Sequence, residues 1–339
     1  MNTQLPTLEF ILRNYKNFNS RATKDALISY WRHLEKGGKM FWAVAGAMSS
    51  AQLGISLAPA IRNGIIHGIS VTGANLEESL FRLVAHDHYK DFPDYRYFTK
   101  EDDTRILENG MCRVTDTSIP EYEAFRVMEK VLLPIWKQAT KEKTRKFWHE
   151  YFYNTVQSLD KKFHQGKPEE CWLLAAAEKN LPIVVPGYED STFGNFFASH
   201  VKRGDVDVSV AKSGIEYMAA LYDQYQELSK GAGIGFFQIG GGIAGDFPIC
   251  VVPSIKYDLK EKVKPWAYFC QISDSTTSYG SYSGATPNEK ITWDKLTKDT
   301  PMFVVESDAT IVAPLILTAL LECKANPKEA NKLIEKYIF

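Results

Sequence analysis

Ile65-Ile-His-Gly-Ile-Ser-Val-Thr-Gly-Ala-Asn-Leu-Glu-Glu78 decides the fold class. An apolar, β-branched run to Val71 is a buried strand, Thr72-Gly-Ala-Asn75 a turn of small residues, and the segment around Leu76–His86 a helix whose first turn carries two acids. The same succession stands just upstream: an apolar strand from Met40 to Ala45, the turn Gly46-Ala-Met-Ser-Ser50, and a helix over Ala51–Arg62 that Asn63-Gly64 ends. Strand, small-residue turn and helix, repeated, predict an α/β chain with a doubly wound, mostly parallel, Rossmann-like sheet. Ligands of such sheets gather at the carboxyl ends of the strands, which here means those two turns.

Outward from this stretch the pattern continues. Strands are expected at Leu181–Val185, Val206–Val210, Gly233–Ile239, Trp266–Ile272 and Met302–Glu306. Helices are expected at Thr23–Lys36, with Thr23 as N-cap and Gly37-Gly38 as stop, across most of Glu121–Leu159, and at 167–179, Ser213–Lys230, Asp308–Cys323 and Pro327–Tyr337. Residues 87–120, polar and aromatic, form an excursion. No linker or repeat divides the chain, so the expected organisation is a helical N-terminal segment, 1–38, and a single α/β domain, 39–339.

Composition excludes several classes. The 339 residues are 45% hydrophobic and 24% charged, a globular balance, and the net charge of −1 offers no global field to nucleic acid or an anionic membrane. Five widely spaced cysteines without a Cys-x-x-Cys pair argue against a disulfide framework or a zinc site and for a reducing compartment. No basic region followed by an apolar run opens the chain, and no apolar stretch approaches a membrane span, so a cytoplasmic protein is expected. His86-Asp-His88 directs its imidazoles to different sides of a helix, and no metal is expected. Gly240-x-Gly242-x-x-Gly245 follows a strand, as a dinucleotide fingerprint does, but no acid is obvious about 20 residues on. It reads as a turn where backbone approaches a ligand.

The densest chemistry lies in Gly280-Ser-Tyr-Ser-Gly-Ala-Thr-Pro-Asn-Glu-Lys-Ile-Thr-Trp-Asp-Lys295. A loop of small residues is followed by a carboxylate, Glu289, an indole, Trp293, and a primary amine, Lys295. A carboxylate and an aromatic face suit a cationic amine ligand, and a lysine beside them serves as nucleophile once deprotonated. On residue types alone, an ordinary surface loop with a packed Trp293 and a solvated Lys295 is the simpler reading.

The segment resembles the active-site loop of the deoxyhypusine synthase family, Gly-Ser-Asp-Ser-Gly-Ala-Arg-Pro-Asp-Glu-Ala-Val-Ser-Trp-Gly-Lys, and keeps its final lysine. The resemblance runs from about Met40 to Leu321 and implies that family's fold, with NAD as cofactor and a polyamine as substrate. It implies a covalent imine on Lys295. Glu77 and Glu78 would hold the polyamine, with Asn195, Gly241, Asp246, Gly280, Ser281, Tyr282, Glu289 and Trp293 around it. Gly46, Ala47, Met48, Ser49, Ser50, Thr72, Gly73, Ala74, Asp190, Asp308 and Ala309 fall on cofactor positions. Asn195 and Tyr282 stand where the family has aspartates, and Asp246 where it has an imidazole. These departures imply an altered substrate: aminobutyl transfer to a small amine such as putrescine, giving a homospermidine-type product. Modification of a translation-factor lysine, and a non-catalytic NAD- or polyamine-binding role, are the alternatives. The resemblance further implies a homotetramer, a dimer of dimers with shared active sites.

Overall fold

The computed structural model describes residues 5–280 and 284–338. Six strands form its main sheet: β1 (Lys39–Val44), β2 (Gly68–Val71), β6 (Ile183–Val184), β7 (Ile234–Ile239), β8 (Phe269–Ser273) and β9 (Met302–Glu306). A separate antiparallel sheet holds β3 (Lys90–Asp91), β4 (Met111–Val114) and β5 (Thr117–Pro120), in the order β3-β5-β4. The main sheet is parallel throughout, in the order β6-β2-β1-β7-β8-β9. Counted by occurrence within that sheet the order is 3-2-1-4-5-6, that of a doubly wound dinucleotide-binding fold. The expected fold class is therefore the observed one.

Register explains how the sheet is held. Phe41, Phe236 and Phe269 lie in one row across β1, β7 and β8, their rings stacked at centroid spacings of 6.2 Å. Trp266 packs edge-on against this row. One residue on, Trp42 and Phe237 point to the other face, stacked at 4.2 Å. Tyr30, from the helix Phe18–Glu35, closes that face: it accepts a hydrogen bond from the Trp42 indole at 2.9 Å and donates one to the Ile65 carbonyl at 2.9 Å. Both faces being covered, β1 from Met40 onward and all of β2, β7 and β8 are buried. The first helix, Pro6–Asn14, is tied down by the Glu322 carboxylate, which accepts from the Thr7 and Leu8 amides at 3.0 and 2.9 Å.

Three sequence expectations change. Thr23 is no N-cap: the helix begins at Phe18 behind Asn17, and Thr23 is buried within it, its hydroxyl donating to the Asn19 carbonyl. Val206–Val210 forms no strand. The Asp207 carboxylate accepts from the Ser209 amide and closes a single 3₁₀ turn, Val208–Val210, the local side-chain bond by which Asp competes with a sheet ladder. The excursion 87–120 contains the small sheet and a helix, Lys100–Glu108, held by a Thr99/Asp102 capping box. Among the described residues no helix is long and apolar enough to cross a membrane.

Candidate active site at the carboxyl ends of the strands

Strand order reverses between β1 and β7, and the loops leaving the two strands diverge there. The crevice they open has a volume of about 380 Å³. Ala45, Gly46 and Met48 follow β1 into it, Ile239 and Gly240 end β7, Ile272, Ser273 and Asp274 end β8, and Ser307, Asp308 and Ala309 follow β9. Gly46, Gly240 and Gly242 have φ of +67°, +67° and +68°, which admits glycine and few other residues. A Cβ on Gly245 would lie 2.7 Å from the Gln238 side chain, so this third glycine lets the helix Ile243–Ile249 close on β7. Strand, Gly-x-Gly-x-x-Gly and helix thus occur in succession, and an acid, Asp274, follows the next strand, farther along the chain than the fingerprint's spacing of about 20 residues.

The donor set of the crevice fits an NAD-type dinucleotide. Two carboxylates, Asp274 and Asp308, and the hydroxyls of Ser273 and Ser307 suit ribose hydroxyls, and among the described residues lining it none is a Lys or Arg that would take a 2′-phosphate. Asp308 is at the same time the N-cap of the helix Ala309–Ala325, accepting from the Thr310 amide at 2.7 Å.

The turn 46–50 is held by a residue that sequence reading passed over. Asn75, 1% exposed, accepts from the Ser49 amide at 2.8 Å and donates to the Gly46 carbonyl at 2.7 Å and to the Thr72 hydroxyl at 2.9 Å. Ser49 donates back to the Asn75 carbonyl and accepts from the Trp172 indole. Ser50 donates to the Glu78 carboxylate. Glu78 is buried and its pKa is raised, burial outweighing the Ser50 bonds and the Arg82 charge.

Lys295 belongs to a turn of defined type. The four-residue helix Glu289–Thr292 ends with Asp294 in the left-handed region at φ +56°. The Asp294 amide donates to the Ile291 carbonyl and the Lys295 amide to the Lys290 carbonyl, each at 3.0 Å. These are the 5→2 and 6→1 bonds of a Schellman motif, in which the C3 and C″ side chains are often neighbours. Those side chains here are Lys290 and Lys295. The Lys295 ammonium lies 5.7 Å from the Trp293 ring centre, and that of Lys290 4.8 Å from the Phe269 ring centre. The charges of Asp246, Lys290 and Lys295 act on one another. Burial lifts the Asp246 pKa and the two ammoniums draw it back down, while burial and Lys295 depress Lys290.

The sequence-predicted residues therefore separate into groups. Gly46, Met48, Asp308 and Ala309 line the crevice. Asp246, Glu289, Trp293 and Lys295 gather at the Schellman turn. Ser49, Ser50 and Thr72 are engaged in the Asn75 and Glu78 bonds. Gly73 is required by its own chain, since a Cβ there would stand 2.7 Å from that of Ser191. Both oxygens of Glu77 are taken, accepting from the Thr192 and Phe193 amides at 2.9 Å each. Ala47 and Ala74 are half-buried, and Gly241 sits between the two positive-φ glycines. Asp190 and Asn195 are exposed beyond β6, and Gly280 is open on all sides. Ser281 and Tyr282 lie outside the described residues. A Cβ on Gly284 would fall 2.0 Å from the Tyr279 carbonyl, so that glycine serves the loop's own closure. Sequence reading missed Asn75, Asp274 and Lys290.

Comparison with known proteins agrees with this fold. The chain is 28% identical over 303 residues to a deoxyhypusine synthase-like protein of Thermosynechococcus vestitus, covering 87% of this chain and 72% of that one. It is 27% identical over 349 residues to a deoxyhypusine synthase-like protein of a Nostoc species, covering 99% and 86%. A crystal structure described as a deoxyhypusine synthase from Entamoeba histolytica superposes with a TM-score of 0.55 at 11% identity, over 89% of this chain and 87% of that one, a likeness of fold. The family model for deoxyhypusine synthase matches residues 11–320, and the chain belongs to the deoxyhypusine synthase family, whose members are NAD-dependent transferases.

Proposed function

We propose that this chain is an NAD-dependent aminobutyl transferase that takes its donor group from a polyamine, carries it on Lys295 and delivers it to a small amine. The observation that carries the reading is the lysine at a Schellman turn with a half-buried carboxylate, Asp246, and an exposed indole, Trp293, beside it. Asp246 would pair with the donor's ammonium, and Trp293 would lie along its methylene chain. NAD, held in the crevice by Asp274 and Asp308, would supply reversible hydride acceptance from an amine carbon. Lys295, as a free amine, adds to the oxidised carbon and expels the departing amine, retaining the aminobutyl group as an imine. An acceptor amine repeats the exchange in reverse. A small acceptor is favoured by the changed carboxylate set, with Asn195 and Tyr282 in place of two acids and Asp246 gained. Trp293, 65% exposed, supports an assembly in which a partner subunit covers the loop, as a dimer of dimers with shared sites would. Five free cysteines support a reducing, cytoplasmic setting.

The test is to incubate the protein with NAD and spermidine, trap with borohydride and analyse the peptide bearing Lys295 by mass spectrometry. An aminobutyl mass gain on Lys295 that requires NAD is expected. Transfer on to putrescine, and not to a translation-factor lysine, would identify the acceptor class. The absence of any adduct with any amine, with NAD bound, would leave a non-catalytic binding protein.

Asp308→Asn separates the two duties of that residue. Asn caps a helix about as well as Asp, so stability should hold within about 0.5 kcal/mol. Loss of a charge-assisted bond to a ribose hydroxyl should raise the NAD Kd roughly tenfold, as calorimetric titration would read. Unchanged affinity would remove Asp308 from the cofactor site.

A further inference from the structure

The Schellman turn places two lysines, whose charges act on each other, at the positions where that motif often pairs apolar side chains. Lys290 is half-buried over Phe269, on the inner side of the turn, and the position is alanine in the family motif quoted above. The charged groups that face it are Lys295 and Glu289 from its own loop and Asp246 from the helix Ile243–Ile249. Asp294, next in the turn, is engaged by Lys256 at 2.8 Å and by the Tyr257 hydroxyl. Of the two nearby acids Glu289 is exposed, so one half-buried carboxylate faces two ammoniums, and holding both protonated in a half-buried site is unfavourable.

Resting on the transferase reading above, we propose that Lys290 is the base that deprotonates Lys295 for attack and returns the proton to the departing amine. In the first step a proton passes from the Lys295 ammonium to the neutral Lys290 amine. Lys295 Nζ then forms its bond to the iminium carbon, giving a tetrahedral diamine. Lys290, having lost that first proton to Asp246 or to solvent, takes one from the attached Lys295 nitrogen and gives it to the other nitrogen. That C–N bond breaks, the donor fragment departs as a neutral amine, and the carbon stays on Lys295 as an iminium. No electrons are exchanged in these steps, and charge is conserved. The lowered pKa of Lys290, from burial and from Lys295, accords with this role.

The experiment is competitive acetylation of the full chain by trace acetic anhydride across a pH series, with each lysine quantified by mass spectrometry. Lys290 is expected to titrate below the surface lysines. Lys295→Met should raise its midpoint and Asp246→Asn should lower it further. A Lys290 that titrates with the surface lysines, or ignores Lys295→Met, overturns the proposal. This readout needs neither NAD nor substrate, so it decides the amine pair even if the wild-type chain forms no adduct, the outcome that sinks the transferase reading alone. Lys290→Arg adds a kinetic arm, keeping the charge but never serving as a base. Adduct formation on Lys295 should slow by about 10²–10⁴-fold near neutral pH and recover as pH rises. A wild-type rate in Lys290→Arg would likewise overturn the proposal.

Discussion

Lys295→Arg is expected to lower aminobutyl transfer by roughly 10³-fold or more while leaving the fold and the NAD affinity within about twofold of wild type. Arginine keeps a positive charge at the C″ position of the turn, beside Asp246 and over the Trp293 ring, so every electrostatic role of Lys295 survives. The 6→1 bond from the residue 295 amide to the Lys290 carbonyl involves backbone only and is untouched. What disappears is a primary amine able to lose a proton and bond to carbon. The crevice is lined by residues of β1, β7, β8, β9 and their loops, none of them in the lysine turn, so nucleotide binding should persist. Turnover of spermidine and putrescine, followed by product analysis, together with NAD titration, checks both halves. An arginine variant retaining a tenth or more of the activity would mean that Lys295 acts as a cation, and the covalent role would have to be abandoned.

The parallel sheet was legible because its strands are covered on both faces, and such strands write themselves as largely apolar runs such as Phe41–Val44 and Ile234–Phe237. The order of those strands was not legible. Nothing local in Gly240-Gly-Gly242 says that β7 lies beside β1, and without that adjacency the crevice and its Asp274 stay hidden. The lysine pair was hidden for a different reason. A Schellman turn is signalled by glycine at C′, and this chain has Asp294 there, held at φ +56° with its carboxylate bonded to Lys256 and Tyr257. Lys290 and Lys295, five apart, have no helical reason to meet. Asn75 was overlooked because a polar residue in a helix's first turn has a sufficient local explanation, and its partners lie some 26 residues back. Glu77 was legible only in part: two acids at a helix start have a sufficient explanation in the helix dipole, and its ligand role comes from the family resemblance, while the bonds of both its oxygens to the start of another helix could not be read locally.

That use of Glu77 makes the pH dependence of stability informative. Glu77 is 2% exposed, and burial pushes the pKa of its carboxyl group up to about 7, against the opposing pull of the Phe193 and Thr192 amides. In the unfolded chain it returns to 4.5. Between those values the folded state holds a proton that the unfolded state has released, so stability falls as pH rises from about 4.5 to about 7 and is level on either side. The span corresponds to about 3 kcal/mol. Glu77→Gln cannot titrate and should lack this slope. Its single carbonyl can serve both amides only poorly, so it should be the less stable chain near pH 4.5, by about 1–3 kcal/mol, and should overtake or match wild type at about pH 8. Urea midpoints of the two chains at both pH values give the double difference, in which titrating groups that do not interact with Glu77 cancel, while Glu78, whose charge acts on Glu77, contributes through that coupling. If the difference between the chains is the same at both pH values, Glu77 is ionised in the fold, and its two bonds at the start of the helix Thr192–Arg203 outweigh its burial.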